Sequence, residues 1–109
     1  TVGENFYHGL VLGLCATLDN RFYITSNRES GEGRYDICLC PKDGKLPGIL
    51  IELKAAKDCP EDELKELSEK ALEQIDSRKY ETELTVKGVR NILKYGVAFS
   101  GKRVQITAE

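Results

Sequence analysis

The chain has 109 residues, of which 40% are hydrophobic and 31% are charged, and its 16 basic and 18 acidic residues give a net charge of -2. This length suffices for one domain with a core of its own and is too short for two domains. No apolar run approaches the roughly 20 residues of a membrane span and no signal peptide is recognisable, so we expect a cytoplasmic globular domain.

The first predicted element is a helix over residues 4–18. Large apolar residues recur there at a spacing of four, which predicts that this face packs against the rest of the domain. These residues are Phe6, Leu10, Leu14 and Leu18, with Tyr7 and Val11 beside them. Gly9 and Gly13 cost helix propensity, which indicates close packing at their positions. Because the chain begins without methionine and the helical pattern starts almost at once, we also expect a fragment of a longer polypeptide.

Three strands are predicted next, over residues 22–25, 33–40 and 49–54. A polar, glycine-punctuated connection leads from the first of them to the second. The second and third strands carry Asp36, Glu52 and Lys54 inside otherwise apolar sequence. Alternation of side chains places Asp36 with Cys38 on one face, and Glu52 with Lys54 on one face. These polar residues therefore meet if the two faces coincide.

Asp36 faces Glu52 directly in only one register of the hairpin between the second and third strands. In an antiparallel pair the numbers of facing residues have a constant sum, so Asp36 faces Glu52 only if the hairpin is centred on Gly44. A two-residue turn would instead pair Asp36 with Ile51 and turn Glu52 to the other face. A metal site therefore requires a connection of odd length, either a three-residue loop with a left-handed residue at or beside Gly44 or a wider loop over residues 41–47. The prolines that bound these residues cannot both donate to a central ladder, which favours the wide loop.

The second half of the chain predicts a helix, an ambiguous segment and two further strands. Pro60 and the acids after it form a good first turn, and apolar spacing carries this helix to about Tyr80. Residues 81–91 are ambiguous because a glycine argues against a long helix. Strands follow over residues 92–99 and 103–107. The order of elements predicts an α/β sandwich with a mixed sheet.

Asp36 and Glu52 suggest a metal site from their chemistry alone. Two adjacent carboxylates repel each other unless a cation lies between them, and their hard oxygen atoms suit Mg²⁺ or Mn²⁺. Lys54 shares the face of Glu52 and could offset charge that grows on a phosphorus centre. The simpler alternative is a surface ion pair between Lys54 and one of the carboxylates, worth under about 1 kcal/mol.

Longer segments of the chain resemble a known family. They are Glu4–Gly9, Ser26–Asp36, the strand Ile51-Glu52-Leu53-Lys54 and Tyr95–Gly101. Together with the order of elements, they resemble the PD-(D/E)XK nuclease superfamily, and more closely the nuclease-like domain at the C-terminus of bacterial AAA-ATPase-like proteins. The resemblance covers residues 1–109 almost entirely. It implies a restriction-endonuclease-like α/β sandwich, with a mixed β-sheet flanked by helices, and an AAA-ATPase-like domain in the parent chain.

The resemblance also implies roles for individual residues. Asp36 and Glu52 would hold one or two Mg²⁺ ions, or Mn²⁺, while Lys54 would position or activate the attacking water. Glu4 corresponds to the first-helix glutamate of the superfamily, which would be a further metal contact. Gln74 corresponds to the glutamine often found on the following helix. The pattern is broken next to Asp36, because a tyrosine precedes it where the signature proline would be.

Several candidate residues have a structural alternative. Glu4 is either an outer metal contact or an acid that complements the helix dipole. Gln74 bonds either to the site or to backbone. Arg28 and Arg34 are either nucleic-acid phosphate contacts or solvated loop charges. His8 is either a packing or surface histidine, or a base or ligand.

The four cysteines show no CxxC spacing. We therefore expect buried, reduced thiols. A zinc site built from Cys38, Cys40, Cys59 and His8 is an alternative that the spacing does not signal.

The expected function is Mg²⁺-dependent hydrolysis of phosphodiester bonds in DNA, with RNA as a second substrate. The alternative is a catalytically silent module that docks a partner ATPase domain or binds nucleic acid without cutting it. A homo-oligomer is also compatible with the sequence. Because the net charge is -2, we expect only a local basic set around the hairpin to meet phosphates, with the acidic helix after Pro60 facing away. This set consists of Arg28, Arg34, Lys42, Lys45, Lys54 and Lys57.

Overall fold

The structure, a computed structural model, describes residues 3–27 and 35–109. Within these residues the helices are α1 (Glu4–Cys15), α2 (Glu61–Glu73) and α3 (Arg78–Val86), and a short 3-10 turn follows α1 at Ala16–Leu18. The strands are β1 (Phe22–Ser26), β2 (Ile37–Pro41), β3 (Gly48–Ala55), β4 (Ile92–Ser100) and β5 (Arg103–Ala108). They form one sheet in the order β1-β2-β3-β4-β5, antiparallel except for the parallel pair of β3 and β4. The predicted α/β sandwich with a mixed sheet is confirmed.

Alternating side chains give the sheet two apolar faces, one under α1 and one under α2. The larger core lies under α1, and its best-buried members are Ile37, Leu39 and Leu53. On the opposite face, Leu64 of α2 and Ala98 of β4 are completely buried together. Removal of this apolar surface from water holds a helical layer on each side of the sheet.

Gly96 allows α2 to approach the sheet very closely. A Cβ atom at this position would lie 2.1 Å from the carbonyl oxygen of Ser68 and 2.4 Å from the amide nitrogen of Leu72. Gly96 is also the parallel partner of Glu52 in the neighbouring strand. The helix therefore lies directly over the strand next to Glu52.

The face by which α1 packs differs from the prediction. The large apolar residues at a spacing of four are exposed, namely Phe6 (59%), Leu10 (45%), Leu14 (63%) and Leu18 (38%). Tyr7 is buried instead, with its ring stacked on Phe99 and its hydroxyl donating to the carbonyl oxygen of Gly101. Because apolar residues of α1 lie on more than one side of the helix, periodicity could not select the inner face, and these contacts do. An added Cβ at Gly9 or Gly13 would meet nothing within 4 Å, so the close packing predicted there is wrong for the described residues.

The single helix predicted to reach Tyr80 is in fact two helices, so this boundary is wrong. The second helix has its own start, because the N–H of Glu81 donates to the carbonyl oxygen of Ser77 and the Ser77 hydroxyl donates to the Glu81 carboxylate. At the start of α3, the guanidinium of Arg78 pairs with the carboxylate of Asp76, which precedes the helix, at 2.8 Å. Local side-chain bonds of this kind compete with continuation of a helix.

The ambiguous segment 81–91 is the remainder of α3 and its C-terminal cap. Gly88 has a φ of +84°, in the left-handed region that glycine adopts without strain. The N–H of Val89 donates to the carbonyl oxygen of Leu84, and the N–H of Gly88 donates to that of Thr85. This pair of hydrogen bonds is a common way to end a helix at glycine.

Candidate active site

The hairpin between β2 and β3 brings Asp36 next to Glu52. Ile37 pairs with Ile51, and the rest of the ladder has the same centre, at residue 44. Continued by one residue past the start of β2, this register places Asp36 opposite Glu52. The predicted register is confirmed, and so is the wide loop, which occupies residues 42–47 between the two strands.

Asp36 was predicted within the second strand, but it lies just before β2, which begins at Ile37; residue 33 lies outside the described residues. The N–H of Asp36 donates to the carbonyl oxygen of Ile51 at 2.8 Å, and its Oδ2 accepts the N–H of Leu53 at 2.7 Å. Because the side chain takes the Leu53 N–H, the backbone ladder ends at this point. The half-buried carboxylate is thereby held in one orientation beside Glu52.

Glu52 carries the strongest electrostatic signal of the site. Its carboxyl pKa is raised from 4.5 to about 7, mainly by burial and also by a hydrogen bond and charge repulsion from Asp36. The Lys54 ammonium lowers this pKa, whereas the Glu4 carboxylate raises it further. At neutral pH the pair therefore holds a proton for part of the time. A divalent cation would relieve the same repulsion without a proton.

Glu4 and Lys54 complete the surroundings of the two carboxylates. Glu4 lies in the first turn of α1, close enough to Glu52 for their charges to interact. Lys54 lies two residues from Glu52 on the same face of β3 and is half-buried. Among residues 3–27 and 35–109, no group of three or more His, Cys, Asp or Glu side chains is arranged to hold a metal ion. The donor chemistry that fits Mg²⁺ or Mn²⁺ thus comes from the Asp36 and Glu52 pair.

The remaining predicted site residues have mixed outcomes. His8 is buried, and its Nε2 lies 2.8 Å from Ser26 Oγ, which favours a packing role between α1 and β1. Gln74 is half-buried at the end of α2, and no hydrogen bond within the described ranges involves its side-chain amide. Arg28 and Arg34 lie outside the described residues.

The cysteines do not form the alternative zinc site. All four are free; Cys38 and Cys59 are buried, and Cys15 and Cys40 are half-buried. No metal-binding group that includes them exists in the part of the chain that the structure describes. Burial raises the pKa of the Cys15 thiol, which keeps it protonated. Buried, reduced thiols are what the sequence predicted.

Tyr80 is a neighbour of the site that the sequence analysis did not single out. Its ring centroid lies 5.7 Å from that of Tyr35, the residue before Asp36. Burial raises the pKa of its hydroxyl, and the nearby Cys38 and Cys40 thiols add to this effect. Tyr80 belongs to α3, whereas the sequence predicted that α2 continues to this residue. Its position beside Tyr35 therefore could not be predicted without knowledge of the break between the two helices.

Comparison with known proteins adds one positive finding. Residues 2–109 match a family model described as the PD-(D/E)XK nuclease superfamily. No curated protein and no solved structure matches the chain. Of the helices in the described part of the chain, none is long and apolar enough to cross a membrane.

Proposed function

The chain belongs to the PD-(D/E)XK nuclease superfamily, and on this premise we propose that it is a nuclease that requires Mg²⁺ or Mn²⁺ and hydrolyses phosphodiester bonds in DNA, with RNA as a second substrate. The observation that carries the proposal is the pair of Asp36 and Glu52. The two carboxylates lie side by side in the confirmed register, and the pKa of Glu52 is raised to about 7. Repulsion between adjacent carboxylates, with a raised pKa at one of them, is common at sites that bind cations or transfer protons.

Asp36 and Glu52 would hold the cation. The hydrogen bond from the Leu53 N–H fixes the orientation of the Asp36 carboxylate, so part of the site is organised before a ligand binds. When bound, the cation supplies Lewis acidity to the phosphate and lowers the pKa of a water molecule. Glu4 contributes negative charge to the same region and would strengthen the attraction for the cation.

Lys54 would act on the phosphate and on the attacking water. Its ammonium lies close enough to Glu52 to lower the pKa of that carboxyl, so it is within range of the reacting group. A fixed positive charge there stabilises the negative charge that grows on the phosphate oxygens in the transition state. It also holds a water molecule that approaches the phosphorus atom in line with the leaving group.

A second candidate function belongs to a different class. The described residues contain no group of three ligating side chains, and the net charge of the chain is -2. Both observations favour a catalytically silent nuclease-fold module. Its role would be to dock an AAA-ATPase-like domain of the parent chain or to bind nucleic acid without cutting it. The two candidates differ in metal binding, because a silent module has no need to bind a cation at Asp36 and Glu52.

Two measurements separate these candidates. Calorimetric titration with Mn²⁺ should show binding that both Asp36→Asn and Glu52→Gln abolish, whereas Glu66→Gln on the exposed face of α2 should bind like the wild type. Plasmid, single-stranded DNA and RNA should then be offered with Mg²⁺ or Mn²⁺. Cleavage by the wild type and the Glu66 variant, but not by the site variants, supports the nuclease. Equal Mn²⁺ binding in all variants, with no cleavage, supports the silent module.

A further inference from the structure

A cavity of about 460 Å³ lies at the end of β3, beside the turn between β4 and β5. Lys57, Lys102 and Arg103 line it, and Asp58 is its one acidic residue. The cavity thus collects an excess of positive charge in a chain whose net charge is -2. Anions are attracted to such a local excess, and cations are repelled from it.

The walls of the cavity are tied together by hydrogen bonds. The N–H of Ala56 donates to the carbonyl oxygen of Phe99, and the N–H of Cys59 donates to Ser100 Oγ, both at 2.9 Å. The guanidinium of Arg103 donates to the carbonyl oxygen of Cys59. These bonds join the connection after β3 to the turn after β4, so the cavity is organised without a ligand.

The floor of the cavity is also fixed. Tyr7 is 5% exposed, and its ring stacks on Phe99 with centroids 4.4 Å apart and planes 9° from parallel. The Tyr7 hydroxyl donates to the carbonyl oxygen of Gly101 at 2.9 Å. Lys57 and Lys102 are exposed at the rim, where their ammonium groups can reach a ligand. Exposed ammonium groups beside a fixed cavity can form charge-assisted hydrogen bonds to the oxygen atoms of a bound phosphate.

The cavity and the site of Glu52 lie along the same strand and the same helix. Glu52 is three residues from the end of β3 at Ala55, a distance of about 10 Å along the strand. Glu4 and Tyr7 are separated by less than one turn of α1, about 4.5 Å along the helix axis. One helix and one strand thus connect the acidic site directly to the basic cavity.

We propose that this cavity binds a phosphate group of the nucleic-acid strand that is cleaved at Asp36 and Glu52, at a position beyond the scissile phosphodiester bond. The proposal rests on the proposed nuclease function and names the part of the site that holds the substrate. Lys57 and Lys102 pair with the phosphate, and Arg103 adds positive charge while it braces the wall. A cavity of this volume accommodates a nucleotide and not only a single ion. Anchoring one phosphate fixes the position of the next along the strand.

The test measures binding without cleavage, in an Asp36→Asn background with EDTA. Fluorescence anisotropy with labelled single-stranded and duplex DNA should show that Lys57→Gln with Lys102→Gln weakens binding about tenfold at low salt and lowers the salt slope by about 1 to 2. Lys65→Gln with Lys70→Gln, exposed on α2, removes the same charge and should weaken binding less than twofold. Asp58→Asn should tighten binding, and asparagine tolerates the φ of +50° at this position.

The outcomes separate this proposal from the nuclease proposal. Equal weakening by the two double variants, with both folded by circular dichroism, overturns the cavity as a phosphate site. If the wild type cleaves and the KM of the Lys57 and Lys102 variant is unchanged, the cavity proposal fails and the nuclease stands. If the wild type never cleaves but binding is lost specifically in that variant, the nuclease fails and the cavity stands. Comparison of 5′-phosphorylated with 5′-hydroxyl strands tells a terminal phosphate from an internal one.

Discussion

Replacing Glu52 by Gln is expected to stabilise the metal-free domain, and to do so only towards neutral and alkaline pH. Burial and the Asp36 carboxylate raise the pKa of Glu52 from 4.5 to about 7 in the folded state. A group whose folded pKa is raised contributes stability that is complete below the unfolded pKa and is lost as the pH rises through the folded pKa. Glutamine resembles the protonated carboxyl in shape and as a donor, so the variant keeps the stability that the wild type loses.

The expected gain in unfolding free energy follows from the same change in pKa. The change from 4.5 to about 7 would correspond to about 3 kcal/mol of unfolding free energy for a fully buried group. Glu52 is only half-buried, so screening by solvent reduces the expected gain to about 1 to 2 kcal/mol at pH 8. For a domain of this length, that is roughly 5 to 10 °C in melting temperature.

Urea unfolding in EDTA at pH 4.5 and pH 8 measures this effect directly. The free energy of unfolding should be larger for the variant than for the wild type at pH 8. This difference should shrink to a few tenths of a kcal/mol at pH 4.5. Glu66→Gln, on the exposed surface of α2, is the matched control and should show no such dependence. Added Mn²⁺ should stabilise the wild type and not the Glu52 variant. A Glu52 variant that is less stable than the wild type at pH 8 would refute the reasoning.

Three further predictions use the same preparations. Lys54→Met keeps the apolar stem, so the melting temperature should be nearly unchanged, whereas loss of the ammonium should lower the cleavage rate more than about tenfold. Full activity with a large loss of stability would make Lys54 a structural residue. Asp36→Ala should cost about 1 to 3 kcal/mol because it leaves the Leu53 N–H unpaired, whereas Asp36→Asn keeps an acceptor; equal urea midpoints for the two variants would contradict this. Gly96→Ala should cost about 3 kcal/mol or more, because its methyl group would overlap the Ser68 carbonyl; a wild-type urea midpoint would disprove the close approach.

The sheet and the central pair of carboxylates could be predicted because the signals for them are local. Alternation of side chains fixes which residues share a face, and the prolines that bound residues 41–47 favour a wide loop. The register itself is inferred from the requirement that Asp36 and Glu52 share a metal ion, and the structure has this register. Asp36 itself was predicted inside the strand but precedes it, because its side chain competes with the backbone for the Leu53 N–H.

The other features depend on contacts between distant segments. The inner face of α1 is selected by the contacts of Tyr7 with Phe99 and Gly101, which no pattern within the helix reveals. The break after α2 is the exception, because Asp76 and Ser77 mark it locally by their side-chain hydrogen bonds, although neither glycine nor proline lies between Glu73 and Arg78. The basic cavity draws on the start of the β3–β4 crossover and on the turn between β4 and β5, so its charge is not visible as a run in the sequence.

Asp36 and Glu52 differ in their effect on stability, so the two positions should be substituted in a definite order when a lineage loses activity. Asp36 binds the Leu53 N–H and therefore stabilises the hairpin, whereas ionised Glu52 destabilises the domain. A lineage released from selection for cleavage gains stability by substituting Glu52 and loses stability by substituting Asp36. Inactive descendants should therefore diverge first at position 52. An aspartate retained at position 36 is then weaker evidence for an active enzyme than a glutamate retained at position 52.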